Sequence, residues 1–224
     1  MARGVGRPRD NTLEQRVFDA ACSLYAKRGW SGFNFDEVSK RARVGKGSLY
    51  LRWRNKAHML IELVRSRACV ISGIDNGDIR SDLIEFAHRW HAHMETDEGV
   101  LIYRLMVDAR FYPDLRKALY QEPYPEYVRS TRLIIRRGIE RGELPRDTSV
   151  ALIADLVAGA VSNHVRNTPE HLREQFASRL DAYIENIVDT VLLGIRVNAG
   201  LADRRDGRES DPYVSAEGGM SPTV

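Results

Sequence analysis

The chain has 224 residues, enough for one sizeable core or for a small domain joined to a larger one. Its apolar content, 43%, is ordinary for a soluble globular protein, and no uninterrupted apolar run nears the ~18 residues that would cross a bilayer; the best stretch, Leu152 to Val161, carries Asp155 in its middle. The net charge of +3 is unevenly placed: residues 1–60 hold 13 Lys+Arg against 5 Asp+Glu, a net of +8, and the remainder is net −5. A basic head on an acidic body suggests that the head meets a polyanion and that the body does something else. The basic N-terminus has no apolar stretch behind it and reads as no secretory signal. Cys22 and Cys69 form neither a metal-spaced motif nor a disulfide framework, and the chain is expected in the cytoplasm.

Helical periodicity dominates along the whole chain. A first helix is predicted from Thr12, where Thr12 and Gln15 have capping-box spacing, with Leu13, Val17, Ala21, Leu24 and Tyr25 on one face and Gly29 as its stop. A second starts at Asn34, with Glu37 three residues on, and ends near Ala42. A third covers Lys46 to Trp53, and a fourth follows Asn55 with Met59, Leu60, Leu63 and Val64. Ser81 or Asp82 opens a fifth, with Leu83, Ala87, Trp90 and Met94 on one stripe. Gly99 to Arg110 is a sixth, closed by the turn around Pro113. A longer pattern runs from Asp114 to Gly142, bent or broken early by Pro123 and Pro125; Thr148 to Val165 and Pro169 to Val197 complete about nine helices. From Asn198 onward the chain is polar, without periodicity, and is expected to be disordered. The fold class is all-α.

Two short helices joined by a tight turn around Arg43 to Gly45, with a third helix before them, make a helix-turn-helix unit, whose second helix enters the DNA major groove. The stretch ARVGKGSLYLRWRNK fits that task. Gly45 and Gly47 keep the start of the helix bare, Lys46 points towards bases or phosphate, Ser48 and Tyr50 carry hydroxyls suited to phosphate oxygens, and Arg52 and Lys56 add charge. Leu49 should face inward against Val38 and Leu24, and Trp53 should pack the core.

At these residues the chain resembles the TetR family of bacterial repressors. The family's segment reads A-G-V-S, then K-G-T-L-Y-x-x-F, then S-K-E; here it is Ala42-Arg43-Val44-Gly45, then Lys46-Gly47-Ser48-Leu49-Tyr50-Leu51-Arg52-Trp53, and Asn55-Lys56-Ala57. The upstream AACSLYAKRGWSGFNFDEVSKRA is similar to the family pattern as well. The resemblance is sharp over residues 12–63 and architectural beyond. It implies that Lys46 reads bases or phosphate, and that Ser48, Tyr50 and Lys56 clamp the DNA backbone. Two residues depart from the pattern. Arg43 stands where the family has Gly, so a positive φ is expected there at some cost. Leu51 replaces a polar or aromatic reader and would touch a thymine methyl. The arm Arg3 to Arg9 either lays Arg7 into a narrow A·T minor groove or is a solubilising tail.

The resemblance divides the chain into a basic arm (1–11), a DNA-binding domain (12–56), a helical ligand-binding and dimerisation domain (57–197) and a tail (198–224). It implies a homodimer through the last two helices, which carry Val150, Ile153, Val157 and Val161, and Leu172, Phe176, Leu180, Tyr183, Ile184 and Ile187. Trp90, His93, Met94, Tyr103, Met106, Tyr127, Asn163 and His164 are polar, sulfur or aromatic residues among core positions and are the candidates for lining an effector cavity. His88, His91 and His93 bring too few convergent ligands for zinc, so no metal, cofactor or catalytic role is expected. No hydrolase or phosphate-loop motif occurs in a fitting context, and the chain reads as no enzyme. The expected function is a homodimeric regulator, released from a pseudo-palindromic double-stranded operator by a small molecule, with the change transmitted through the fourth helix. A DNA-binding protein without an effector, and a ligand-binding module that is merely basic at one end, are the alternatives.

Overall fold

In the computed structural model, described for residues 11–67, 71–120 and 126–202, every regular element is helical: eleven α-helices and one 3-10 turn. They are α1 (Asn11–Gly32), α2 (Phe35–Ala42), α3 (Lys46–Arg52), α4 (Lys56–Arg67), α5 (Ile79–Met94), α6 (Asp97–Asp108), α7 (Pro113–Tyr120), α8 (Glu126–Glu140), α9 (Val150–Asn167), α10 (Arg173–Ala177) and α11 (Leu180–Ala202), with the 3-10 turn at Glu170–Leu172.

Local chemistry sets many of the ends. Asn34 caps α2 by accepting from the Glu37 N–H at 2.9 Å, Asn55 accepts from His58 N–H at the start of α4, and Thr96 and Ser149 cap α6 and α9. Asp78 accepts from Ser81 N–H at 2.9 Å, which moves the start of α5 back to Ile79 and frees Asp82 for another role. Two predicted long helices are each two, which accounts for eleven rather than nine. The pattern from 114 to 142 is α7 and α8, separated by residues 121–125, which include both prolines and lie outside the described residues. The pattern from 169 to 197 breaks into the 3-10 turn, α10 and α11. There the Ser178 hydroxyl donates to the Gln175 carbonyl at 2.7 Å, a bond that competes with the helix ladder. Helix α11 runs on to Ala202, five residues past its predicted end; the expected disorder of 203–224 lies outside the described residues.

The packing forms two units, one of α1–α4 with α6 and α7, the other of α5 with α8–α11. The sequence division after residue 56 follows the motif, whereas the packing takes α4, α6 and α7 into the same unit as the motif. In this first unit Val17, Leu24, Phe33, Val38, Leu49 and Trp53 share a core with Leu101 and Leu105 of α6 and Leu115 of α7. The second unit buries Leu83, Phe86 and Trp90 of α5 against Ile134 and Ile135, Ile153, Val157 and Val161, and Ile184 and Val188. Asp82, fully buried, accepts from the Asn76 N–H at 2.6 Å and from Arg141 at 3.2 Å, with Arg137 at 3.5 Å, so its charge is compensated inside that core.

Candidate nucleic-acid interface

Helices α2 and α3 meet at a turn whose conformation depends on Arg43, the one described non-glycine residue with positive φ (55°). Its N–H reaches back to the Ser39 carbonyl, and the Ser39 hydroxyl donates to the Val44 carbonyl at 2.6 Å, so the turn is closed from both sides. A left-handed Arg costs about 1 kcal/mol relative to the glycine of the family pattern.

The turn presents α3 edge-on. Leu49 is fully buried, and Trp53, just past the helix, is 1% exposed with its indole N–H donating to Glu62 at 2.5 Å. The opposite face carries Lys46, Gly47, Tyr50 and Leu51, all exposed. Leu51 is 90% exposed and Tyr50 57%, although both are large and apolar enough to be buried. Tyr50 stands edge-on to Phe35 with centroids 4.9 Å apart, a contact that anchors its ring. Lys46 pairs with Asp36 at 2.5 Å, and that hydrogen bond holds its pKa above the ordinary lysine value. Ser48 is half-buried, and Arg52 is half-buried with Glu14 at 3.5 Å. Arg7 lies outside the described residues.

Lys56 is placed differently from the other cations. Its ammonium donates to the carbonyls of Trp30 (2.8 Å) and Phe33 (3.3 Å) and lies 4.0 Å from the centroid of the Trp30 ring. Helix α1 is interrupted at Gly29 (φ 63°, ψ −167°); beyond the break the Trp30 carbonyl accepts a long bond from the Phe33 N–H at 3.4 Å, and Lys56 adds a second donor there and one to the Phe33 carbonyl. Burial pulls its pKa below the ordinary lysine value.

The same break is gripped from α6. Asp108 accepts from the Tyr25 hydroxyl at 2.8 Å and from the Trp30 N–H at 2.9 Å, and Arg104 donates to the Ala26 carbonyl at 3.1 Å. The positive φ calls for glycine at position 29, and a Cβ there would also stand 2.5 Å from Arg104 Nε, so the guanidinium would have to shift. Burial, and then the bond to Asp108, push the Tyr25 hydroxyl far above its ordinary pKa. At the other end of α6, Glu98 pairs with Arg67, which also pairs with Asp19 of α1. Sequence reasoning missed this second grip on α1, since Asp108 lies 83 residues from Tyr25; only the Gly29 break was visible beforehand. Cys22 is buried nearby, its thiol pushed up to about 12 chiefly by burial, and packs as a small apolar residue.

The predicted effector residues do not gather in one place. Trp90, His93 and Met94 are buried in the second unit, with the Trp90 indole N–H donating to Ser162 at 2.8 Å. Tyr103 and Met106 lie exposed on α6 in the first unit, at 43% and 46%. Asn163 and His164 line a separate cleft with Phe176, Arg179 and Tyr183. The side chain of Tyr127 lies outside the described residues. His88 stands 3.7 Å from Asp181, His91 lies near Phe176 and His93 against Trp90, so the three imidazoles face different neighbours. Among the described residues no three potential ligands come together around a metal position, and no helix is long and apolar enough to cross a membrane.

This architecture and reading face define a helix-turn-helix DNA-binding regulator. Residues 17–63 match the family model for bacterial regulatory proteins of the tetR family, and residues 74–191 match that for the tetracyclin repressor-like C-terminal domain. The chain therefore belongs to the tetR family of bacterial transcriptional regulators, and is no enzyme. It is 24% identical over 199 residues, covering 87% of this chain and 95% of the relative, to the uncharacterized HTH-type transcriptional regulator YdeS of Bacillus subtilis. It is 26% identical over 199 residues, covering 83% and 94%, to the DNA-binding transcriptional repressor TetR of Mycobacteroides abscessus. A crystal structure of the regulator FadR of Bacillus subtilis in complex with stearoyl-CoA shares the fold, with TM-score 0.57 at 17% identity, covering 81% of this chain and 98% of that one.

Proposed function

We propose that the chain is a homodimeric repressor that reads a pseudo-palindromic operator with α3 and is released by a small-molecule effector. The observation that carries the DNA reading is the outward face of α3, where Leu51 at 90% and Tyr50 at 57% exposure stand beside Lys46. Folding alone gives no reason to leave a leucine in water, and a thymine methyl gives one. Lys46 exchanges Asp36 for a phosphate or base edge, Tyr50 and Ser48 donate to phosphate, and Arg52 adds its charge at the rim.

Dimerisation places two such helices ~34–36 Å apart. Helix α9 leaves Leu152 and Leu156 exposed at 52% and 45%, and α11 leaves Leu193 and Val197 exposed at 64% and 55%. Two adjacent helices with apolar outward faces suit a four-helix bundle with a symmetry mate. The grip of α6 on α1 supports a transmission route that the sequence reading confined to α4: a shift of α6 carries the end of α1, and α3 with it. An effector acts only if it binds the conformer with the wrong spacing better than the DNA-competent one.

The test is binding of the purified protein to the DNA upstream of its own gene and its divergent neighbour, followed by fluorescence anisotropy across a salt series. Tight binding that weakens steeply with salt, and that falls about tenfold or more in Lys46→Ala and Tyr50→Phe, is expected. Binding no tighter than to random DNA at every salt concentration would overturn the operator reading.

A further inference from the structure

The cleft around His164 has features that neither the core of its unit nor the exposed leucines of α9 and α11 explain. It measures about 350 Å³ and is formed by the C-terminal end of α9, the 3-10 turn, α10 and the first turn of α11. Three rings make one wall: His164 lies 3.7 Å from Phe176 and 4.4 Å from Tyr183 between centroids, and Phe176 meets Tyr183 edge-on at 5.2 Å. All three are half-buried, so they form the side of an open cleft rather than the interior of a core.

The polar groups are arranged with the same economy. The Thr168 hydroxyl lies 2.8 Å from the His164 carbonyl and 3.0 Å from His164 Nε2, so it ties the imidazole to the end of α9. Burial keeps the imidazole below its ordinary pKa. Asn167 donates to Asn163 at 2.8 Å, which orients both amides. Arg179 has no side-chain hydrogen bond or ion pair among the described residues. No carboxylate lines the cleft, although the chain beyond residue 60 carries more acidic than basic residues.

We propose that this cleft binds a small planar aromatic acid, its ring against Phe176, Tyr183 and His164 and its carboxylate on Arg179. A ring laid on aromatic side chains is favoured offset or edge-on, and both geometries are open where Phe176 and Tyr183 meet at a right angle. A guanidinium without a partner takes a carboxylate through two parallel hydrogen bonds. The volume lies at the low end for ligand sites, which suits one or two fused rings better than the whole of a long acyl thioester. The proposal rests on the effector reading above and gives it a ligand class and a place. Asn163 also follows Leu152, Leu156 and Gly159 along the exposed side of α9, so the occupant touches the same helix that carries the proposed dimer face.

The experiment titrates full-length protein with benzoate, salicylate and 1-naphthoate by calorimetry, beside cyclohexanecarboxylate, benzamide and stearoyl-CoA. Arg179→Gln and Phe176→Leu are measured in parallel, with melting temperatures as the check of folding; Arg179 is exposed and has no side-chain partner among the described residues, so its variant keeps the fold. At least one aromatic acid is expected to bind at least tenfold more tightly than benzamide and cyclohexanecarboxylate, and to lose tenfold or more in each variant. No aromatic acid binding at millimolar concentration overturns the proposal, as does binding that both folded variants leave unchanged. Operator release is read separately. An aromatic acid that binds through Arg179 without weakening DNA binding leaves the cleft standing and removes the effector reading. Release by stearoyl-CoA in wild type and Arg179→Gln alike, with no aromatic acid bound, does the reverse.

Discussion

Both units of the molecule leave large apolar side chains in water, but in opposite company. In the first, Leu51 and Tyr50 are exposed beside Lys46 and close to Lys40, Arg41 and Arg54 along the chain; in the second, Leu152 and Leu156 are exposed on α9 with Gly159 following, and Leu193 and Val197 on α11 with Gly194. An exposed leucine set among cations suits a surface that is both charged and methylated, as a major groove is. Exposed aliphatic residues with a glycine on the same helix suit another helix that must approach closely. The neighbours of an exposed apolar residue, more than its exposure, tell which kind of partner it awaits.

The units also differ in how they are held. The first is pinned at a break in α1 by bonds from Asp108, Arg104 and Lys56 to backbone or buried groups, while the second buries a compensated carboxylate, Asp82. The largest expected effect comes from breaking the apolar face of the second unit: Leu156→Glu should raise the dimer dissociation constant by about 100-fold or more, since each of two symmetric copies loses ~1.5–3 kcal/mol of burial and gains a charge. Analytical ultracentrifugation reads it, and an unchanged dimer would take α9 out of the interface. Next is Asp108→Ala, which strands the fully buried Tyr25 and the Trp30 N–H and should cost about 3 kcal/mol in chemical denaturation. Tyr25→Phe removes donor and bond together and should cost about 1 kcal/mol.

Lys56→Ala sharpens the contrast between cations of the fold and cations of the interface. It should cost about 1.5 kcal/mol of stability while leaving the salt dependence of DNA binding unaltered, because its ammonium is engaged with carbonyls. A fall of about one in the log–log salt slope would return it to the phosphates. Arg43→Gly has an effect as small as that of Tyr25→Phe and opposite in sign: it is expected to stabilise the protein by about 1 kcal/mol by relieving its left-handed backbone, as a shift in denaturation midpoint would register.

What was legible in the sequence was legible because its cause is local. The Asn34 cap, the break at Gly29, the positive φ of Arg43 and the inward turn of Leu49 each follow from a few neighbouring residues, and each is found. The joining of α6 to the motif was not legible, because Asp108 is chosen by groups some 80 residues away that no period or spacing announces. The cleft was half legible. His164 and Asn163 stood out as polar residues on an apolar helix, but Phe176 and Tyr183 read as one helical stripe, and only the break at Ser178 turns them into a wall.

The lysine that closes the end of α1 also decides where this protein can be cut. A fragment ending with α3 would lose Lys56, and with it the ammonium donor to the Trp30 and Phe33 carbonyls, as well as Glu62, the acceptor for the Trp53 indole. Extending it through α4 restores these but not Asp108 and Arg104, which return only after the chain has passed through α5 in the other unit. The reading head is therefore no detachable cassette. A chimera that grafts it onto another regulator must carry α6 across as well, and a seam drawn at the edge of the motif would leave a frayed helix at the joint.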